Sequence, residues 1–391
     1  MRASLARPIE HQPAAPPLLD PAGARVVLGP RDAPAGLAQP IVPSADTLFG
    51  PRGACLASPR GPLFVCDTGH HRLLVWRRAP EADHTPADLL VGQPDFSREG
   101  RNGKGPLGPA TLNVPTGIAA ADGVLAVADA WNHRVLIWRG GVERMNQPAD
   151  VIVGQVDRGA GLANRGADRP RADTLNWCYG VAILDGRLYI SDTGNRRILI
   201  YHAIPDTDGA SADLVLGQSD FVTRDENAGG PAGPIGMRWP HAIAIASGML
   251  LIADAGDNRI MGYRTLPARN GAPCDFVLGQ RDFASVDHNQ ATYLPTATAM
   301  NMPYGLGLLD RTLLVADTAN SRLLGFDLES LSTGAGAKRL TGQRAFTDKG
   351  DNRWMAATRD SLCWPYAVSV SAETAVVADS GNNRVLLWDR A

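Results

Sequence analysis

Short apolar runs alternate with tight polar turns along almost the whole chain. Gly117–Ala121, Val124–Ala128, Val135–Trp138 and Val151–Gly154 are rich in Ala, Val, Ile and Leu. Asp122-Gly123, Asn132-His133 and a longer polar stretch separate them. Apolar runs of this length, broken by Asp-Gly, Asn and Pro, predict β-strands. No apolar run is long enough to span a membrane as a helix.

The same four runs return along the chain. The segment Ala128-Asp129-Ala130-Trp131-Asn132-His133-Arg134-Val135-Leu136-Ile137-Trp138 has counterparts beginning at Cys66-Asp67, Ser191-Asp192, Ala253-Asp254, Ala316-Asp317 and Ala378-Asp379. Their aspartates step by 62 or 63 residues. An arginine follows each by five: Arg72, Arg134, Arg197, Arg259, Arg322 and Arg384. A glycine closing the fourth run keeps the same phase, at Gly29, Gly92, Gly154, Gly217, Gly279 and Gly342. A fixed period means one supersecondary unit copied many times. Four strands in each of six units predict an all-β, six-bladed β-propeller with four antiparallel strands per blade. The first unit holds only a fourth strand, Arg25–Gly29, and the last stops after its third, Val385–Trp388. The N-terminal strand is therefore expected to complete the C-terminal blade and close the ring, which removes the open edges. Residues 25–391 read as one domain, most consistent with a monomer, and the Pro/Ala-rich residues 1–24 as a tail, disordered or draped on the surface.

Ser191-Asp192-Thr193-Gly194-Asn195-Arg196-Arg197-Ile198-Leu199 and Ala378-Asp379-Ser380-Gly381-Asn382-Asn383-Arg384-Val385-Leu386, each after a Pro- or Cys-led strand, resemble the NHL-repeat family of six-bladed propellers. The resemblance covers roughly residues 25–388 and implies the fold. It says little about activity, because one fold hosts many functions.

The formal net charge of −2 argues against a nucleic-acid or anionic-membrane binder, which would carry a basic face. The five cysteines are odd in number and lack Cys-x-x-Cys spacing, which suits a reducing compartment and a cytoplasmic protein. No secretory leader, P-loop, dinucleotide fingerprint or Gly-x-Ser-x-Gly elbow is present in context. No cofactor is indicated.

The Asp/Arg pair recurs in every unit and is expected to be structural. Its Asn companions (Asn132, Asn195, Asn320, Asn382) suit a turn with left-handed geometry or an Asx hydrogen bond. Trp76, Trp138, Tyr201, Tyr263, Phe326 and Trp388 recur at one position and are expected in the inter-blade core. About twenty residues join each fourth strand to the next inner strand. These connections should form a collar around the channel mouth. Their regular Phe96, Phe221, Phe283 and Phe346, and Asn102, Asn164, Asn227, Asn289 and Asn352, are expected to pack on neighbouring blades.

A binding site needs unlike residues, so the positions where the copies differ carry the functional reading. The residue after the inner-strand proline, which is replaced once by Cys178, is Arg52, Thr116, Tyr179, His241, Tyr304 or Tyr366. The residue before it is Gly50, Val114, Trp177, Trp239, Met302 or Trp364, with Arg238 one step further back. Six of the chain's Tyr and Trp residues, a histidine and arginines thus converge on one mouth. Such side chains offer rigid amphipathic area and donors, suiting a partner protein or a small aromatic or anionic ligand. The alternative is a lyase or hydrolase at the same mouth. The ring is similar to that of the peptidyl-hydroxyglycine lyase propeller, whose metal-ligating histidines emerge at strand starts. That resemblance implies a ligand role for His241, with Cys178 and Cys363 as further donors; the remaining histidines of such a site are missing. Arg98, Arg101 and Lys104, and Arg165, Arg169 and Arg171, form basic patches that would serve single-stranded RNA, against the balanced charge.

Overall fold

The computed structural model describes residues 13–31 and 41–391. Within them, twenty-four strands form six four-stranded antiparallel sheets. The innermost strands of blades one to six are β2 (Gly53–Leu56), β6 (Pro115–Ala121), β10 (Gly180–Leu184), β14 (Pro240–Ala246), β18 (Pro303–Leu309) and β22 (Pro365–Ser371). Blade six is completed by β1 (Val26–Leu28), which pairs antiparallel with β24 (Arg384–Asp389), Val27 opposite Leu386. Ring closure by the first strand is as the sequence predicts. The helical turns among the described residues are all short 3₁₀ segments.

Of the N-terminal segment, residues 1–12 lie outside the described residues. Pro13–Ala24 lies on blades five and six. Pro17 bridges to Leu340 and Leu19 to Arg390, and Leu18 and Leu19 are buried.

The apolar core is divided among the seams between blades rather than gathered in one place. Trp138 packs in the cluster between blades one and two, Tyr201 between two and three, Tyr263 between three and four. Phe326, Trp388 and Trp76 fill the remaining three seams. All six side chains are at most 2% exposed. Each blade therefore buries its two faces only against its neighbours, the arrangement expected of a repeat array.

The repeated Asp and Arg stand opposite each other across the strand turn, as Asp192 and Arg197 do. In every blade the arginine Nε donates to the aspartate Oδ2, at 2.7 to 3.1 Å. The rest of the guanidinium holds two connections at once. Arg197 Nη1 donates to Phe221 O at 2.6 Å in the following loop. Its Nη2 donates to Arg171 O and Thr174 O, at 2.9 and 3.0 Å, in the preceding one. A planar five-donor fork is suited to this task and a lysine is not.

The long connections pack as expected. The carbonyls of Phe96, Phe221, Phe283 and Phe346 accept from the arginine of the blade just completed. Asn164 and Asn195 exchange amide hydrogen bonds at 3.0 and 2.8 Å, and the Asn289–Asn320 pair does the same. Each glutamine of the Gly-Gln pairs ties its own loop down; Gln93 Nε2 reaches His70 O, His71 O and Gly100 O. One local expectation is corrected. The motif asparagine does bond its aspartate, Asn195 Nδ2 to Asp192 Oδ2 at 2.7 Å. The left-handed residue, however, is the next one: His71, His133, Arg196, Asn258, Ser321 and Asn383, all with φ between 51° and 56°.

Candidate functional site

All six inner strands start at the same end of the channel, so the residue after each proline points to the axis there. Neighbouring inner strands cross so closely at that level that a Cβ on Gly180 would sit on the His241 carbonyl oxygen, and one on Gly53 on the Thr116 carbonyl oxygen. The narrow waist brings five of the six side chains into one closed circuit. The Tyr179 and His241 rings are 4.4 Å apart, His241 and Tyr304 4.3 Å, and Tyr304 and Tyr366 stack at 4.7 Å. The Arg52 guanidinium lies 4.6 Å over the Tyr366 ring, and its Nη1 donates to Tyr179 Oη. Thr116 is the exception. It is buried and its Oγ1 donates to Tyr179 O at 2.8 Å, so Arg52 spans the gap that Thr116 leaves.

The mouth is thus plugged by its own side chains. Tyr179, His241 and Tyr304 are each less than 10% exposed. Beneath them runs an axial cavity of about 240 Å³ with walls that include Leu56, Ile118, Ile183 and Val370. His241 Nδ1 donates to Trp239 O at 2.8 Å. Burial, with the nearby Arg52 charge adding to it, pushes the imidazole pKa down to about 3. His241 should therefore show no NMR titration between pH 5 and 8; a midpoint near the ordinary 6.5 would mean that the plug opens to water.

Around the plug stands a second circle, the residue before each proline. Trp177, Trp239 and Trp364 are 36–37% exposed, and Phe49 is 38% exposed. Gly50, Val114, Trp177, Met302 and Trp364 are held at φ between 51° and 56°, an unusual conformation for a bulky residue. The cause is a staple between blades. Each of these N–H groups donates to a side chain of the preceding blade: Val114 to His71 Nδ1, Trp177 to His133 Nδ1, Met302 to Asn258 Oδ1, Gly50 to Asn383 Oδ1 and Trp364 to Ser321 Oγ. Blade four departs for a chemical reason. The residue facing it is Arg196, which has no acceptor, and Trp239 N–H turns instead to Asp254 Oδ1 at 3.0 Å.

Blade four departs a second time. Asp257 stands where Asn132 and Asn195 stand in blades two and three. It is buried, with Oδ2 left without a hydrogen bond although Arg259 Nη2 is 3.3 Å away. Its loop counterpart Asn227 has an unpartnered Oδ1. Burial, with the neighbouring Asp254 charge, pushes the Asp257 carboxyl up to about 6. Sequence reading passed over this residue, although a change from Asn to Asp in one copy was visible.

The remaining candidates are dispersed. Arg238 lies 5.3 Å over the Trp239 ring and pairs with Glu226 at 3.1 Å, so it belongs to the rim. The three possible metal donors are not gathered. The Cys178 thiol is buried in the seam of blades two and three and donates to Arg134 O, while burial raises the pKa of both Cys178 and Cys363. No group of three His, Cys, Asp or Glu side chains able to hold a metal occurs among the described residues. Of the basic patches, Arg165 and Arg171 share Asp173, at 2.5 and 3.2 Å, which offsets their charge. No helix among the described residues is long and apolar enough to cross a membrane.

Comparison with known proteins agrees with this fold. The NHL repeat family model matches residues 112–138, the turn and flanking strands of blade two. The chain is 23% identical to NHL repeat-containing protein 2 of Gallus gallus over 352 residues, and 22% identical to that of Homo sapiens over 353. Each alignment covers 84% of this chain and 44% of the relative, so the chain spans less than half the length of these proteins. Hydrazine synthase from Kuenenia stuttgartiensis superposes with a TM-score of 0.52 over 92% of this chain and 99% of its own, at 12% identity, a likeness of fold alone. The matched motif is repeated in phase in all six blades, so the chain is a six-bladed β-propeller whose repeats are similar to the NHL repeat.

Proposed function

We propose that this propeller is a recognition protein and that the plugged mouth, with its aromatic rim, is the surface it presents to a partner protein. The observation that carries this reading is the circle of half-buried Phe49, Trp177, Trp239 and Trp364 around a filled plug. Tryptophan is the side chain most enriched where binding energy concentrates, and the plug gives these rings a rigid floor. The five cysteines are free, which suits a reducing, cytoplasmic setting for such a partner. A metal-dependent lyase or hydrolase at the mouth draws no support from the donor set, since among the described residues His241 has no second and third His, Cys, Asp or Glu beside it.

The test is a peptide-display selection on the intact protein, followed by affinity measurement on the triple variant W177S/W239S/W364S. Selected peptides should bind the variant at least tenfold more weakly, a modest loss for three anchors worth ~1–2 kcal/mol each. The melting temperature should stay near the parent value, because the core aromatics lie elsewhere. Peptides that bind parent and variant equally would move the recognition surface away from the mouth.

A further inference from the structure

The aromatic rim has one gap, at the seam between blades six and one. Gly50 occupies the position held elsewhere by Val114, Trp177, Trp239, Met302 and Trp364. A Cβ at Gly50 would meet nothing within 4 Å. The gap opens a cleft of about 310 Å³ lined by Phe49, Gly50, Arg52, Gly69, Trp364 and Tyr366, with Thr68, Ser380 and Gly381 completing it. Roughly 150 Å³ suffices to hold a benzene ring. No acidic side chain lines the cleft.

Arg52 gives the cleft its chemistry. The residue is half-buried; its guanidinium stacks on Tyr366 and donates one side-chain hydrogen bond, to Tyr179 Oη. Among the described residues no carboxylate pairs with it, unlike the arginines of the repeat motif, each of which faces an aspartate. An arginine has five N–H donors, so most of this one's fork is left for a ligand. A cation with unused donors, beside two half-exposed aromatic side chains, is complementary to a carboxylate on a flat apolar body.

We propose that this cleft binds a small planar carboxylate, with the carboxylate on Arg52 and the apolar body beside Phe49 and Trp364. The site shares Phe49 and Trp364 with the proposed partner surface but needs neither Trp177 nor Trp239.

The experiment is a ¹⁹F NMR titration of the whole protein with 4-fluorobenzoate, using neutral 4-fluorobenzamide as the control. Saturable broadening is expected with half-saturation near ~1 mM, the range of a fragment of this size. The benzamide should bind at least tenfold more weakly. Gly50→Met fills the cleft with the side chain that Met302 carries at a nearly identical φ (53° at both), so it should fold normally and abolish binding. Arg52→Gln should weaken binding at least tenfold and serves as the second variant. W177S/W239S should leave it unchanged, which separates a failure of this site from a failure of the partner surface. Equal binding of the amide, unchanged binding by G50M or R52Q, or no saturable binding would each overturn the proposal.

Discussion

Replacing Arg197 by Ala should destabilise the protein by about 3–5 kcal/mol, the usual cost of removing one partner from a buried ion pair. Asp192 and Arg197 are both inaccessible to solvent. The substitution strands Asp192 Oδ2 with only Asn195 as donor and leaves the carbonyls of Phe221, Arg171 and Thr174 without their shared guanidinium. Two loops lose their anchor together, so the penalty exceeds that of a surface pair, worth about 0–1 kcal/mol. Arg197→Lys should recover only a small part, because an ammonium on a longer stem cannot reach four acceptors in one plane. Urea unfolding, with the m-value compared, measures it. A loss below about 1 kcal/mol would show that the loops are held by their asparagine pairs instead.

Asp257→Asn should have the opposite sign. Unfolded, the carboxyl titrates near its ordinary 3.8; folded, it is pushed up to about 6. Between those values the folded protein holds a proton that the unfolded chain has released. Stability from this group is therefore complete below pH 3.8 and is lost as pH rises through 6. Asparagine needs no proton, and it can donate to Asn227 Oδ1 and Asp254 Oδ2 as Asn195 does to Asn164 and Asp192. The variant should be more stable than the parent by about 3 kcal/mol at pH 8, the shift from 3.8 to about 6 at ~1.4 kcal/mol per unit. The gain should shrink towards zero as pH falls to 4. Thermal melts of both proteins across that range decide the matter. A gain that is the same at pH 4 and pH 8, or a loss at pH 8, would mean that Asp257 is ionised in the fold and stabilised by Arg259.

These two sites show what the sequence could and could not reveal. The blade count, the ring closure and the burial of Trp138 or Tyr201 followed from repetition, because a fault in one copy is exposed by the other five. The ring from Arg52 to Tyr366 was legible for the same reason: one column of the repeat held unlike residues. Its state was not. Whether Tyr179, His241 and Tyr304 stand apart around an open channel or pack into a plug depends on how closely the inner strands approach. That distance is set by side-chain volume at Gly180 and Gly53 in three dimensions. The cleft at Gly50 was hidden for a related reason. A glycine in a column of Trp, Met and Val reads as a missing contact, and only the neighbouring Phe49 and Trp364 turn it into a space with walls. The left-handed residue was misplaced by one because asparagine tolerates that geometry, yet here its side chain is needed for the aspartate and the loop.

Closure of blade six by β1 also has a consequence for synthesis. Of the propeller's strands, the one that completes the ring, β1, is made first, and the one it must meet, β24, is made last. Val27 therefore waits unpaired on the ribosome until Leu386 has emerged. Five blades can assemble on the growing chain in order, each sealing a seam with the one before. The sixth cannot, and the backbone edge of β24 stays open until the first and last strands of the propeller find each other. Such a long-range pairing is intrinsically slow, so the propeller is most prone to join a neighbour edge to edge in the interval before β1 and β24 pair.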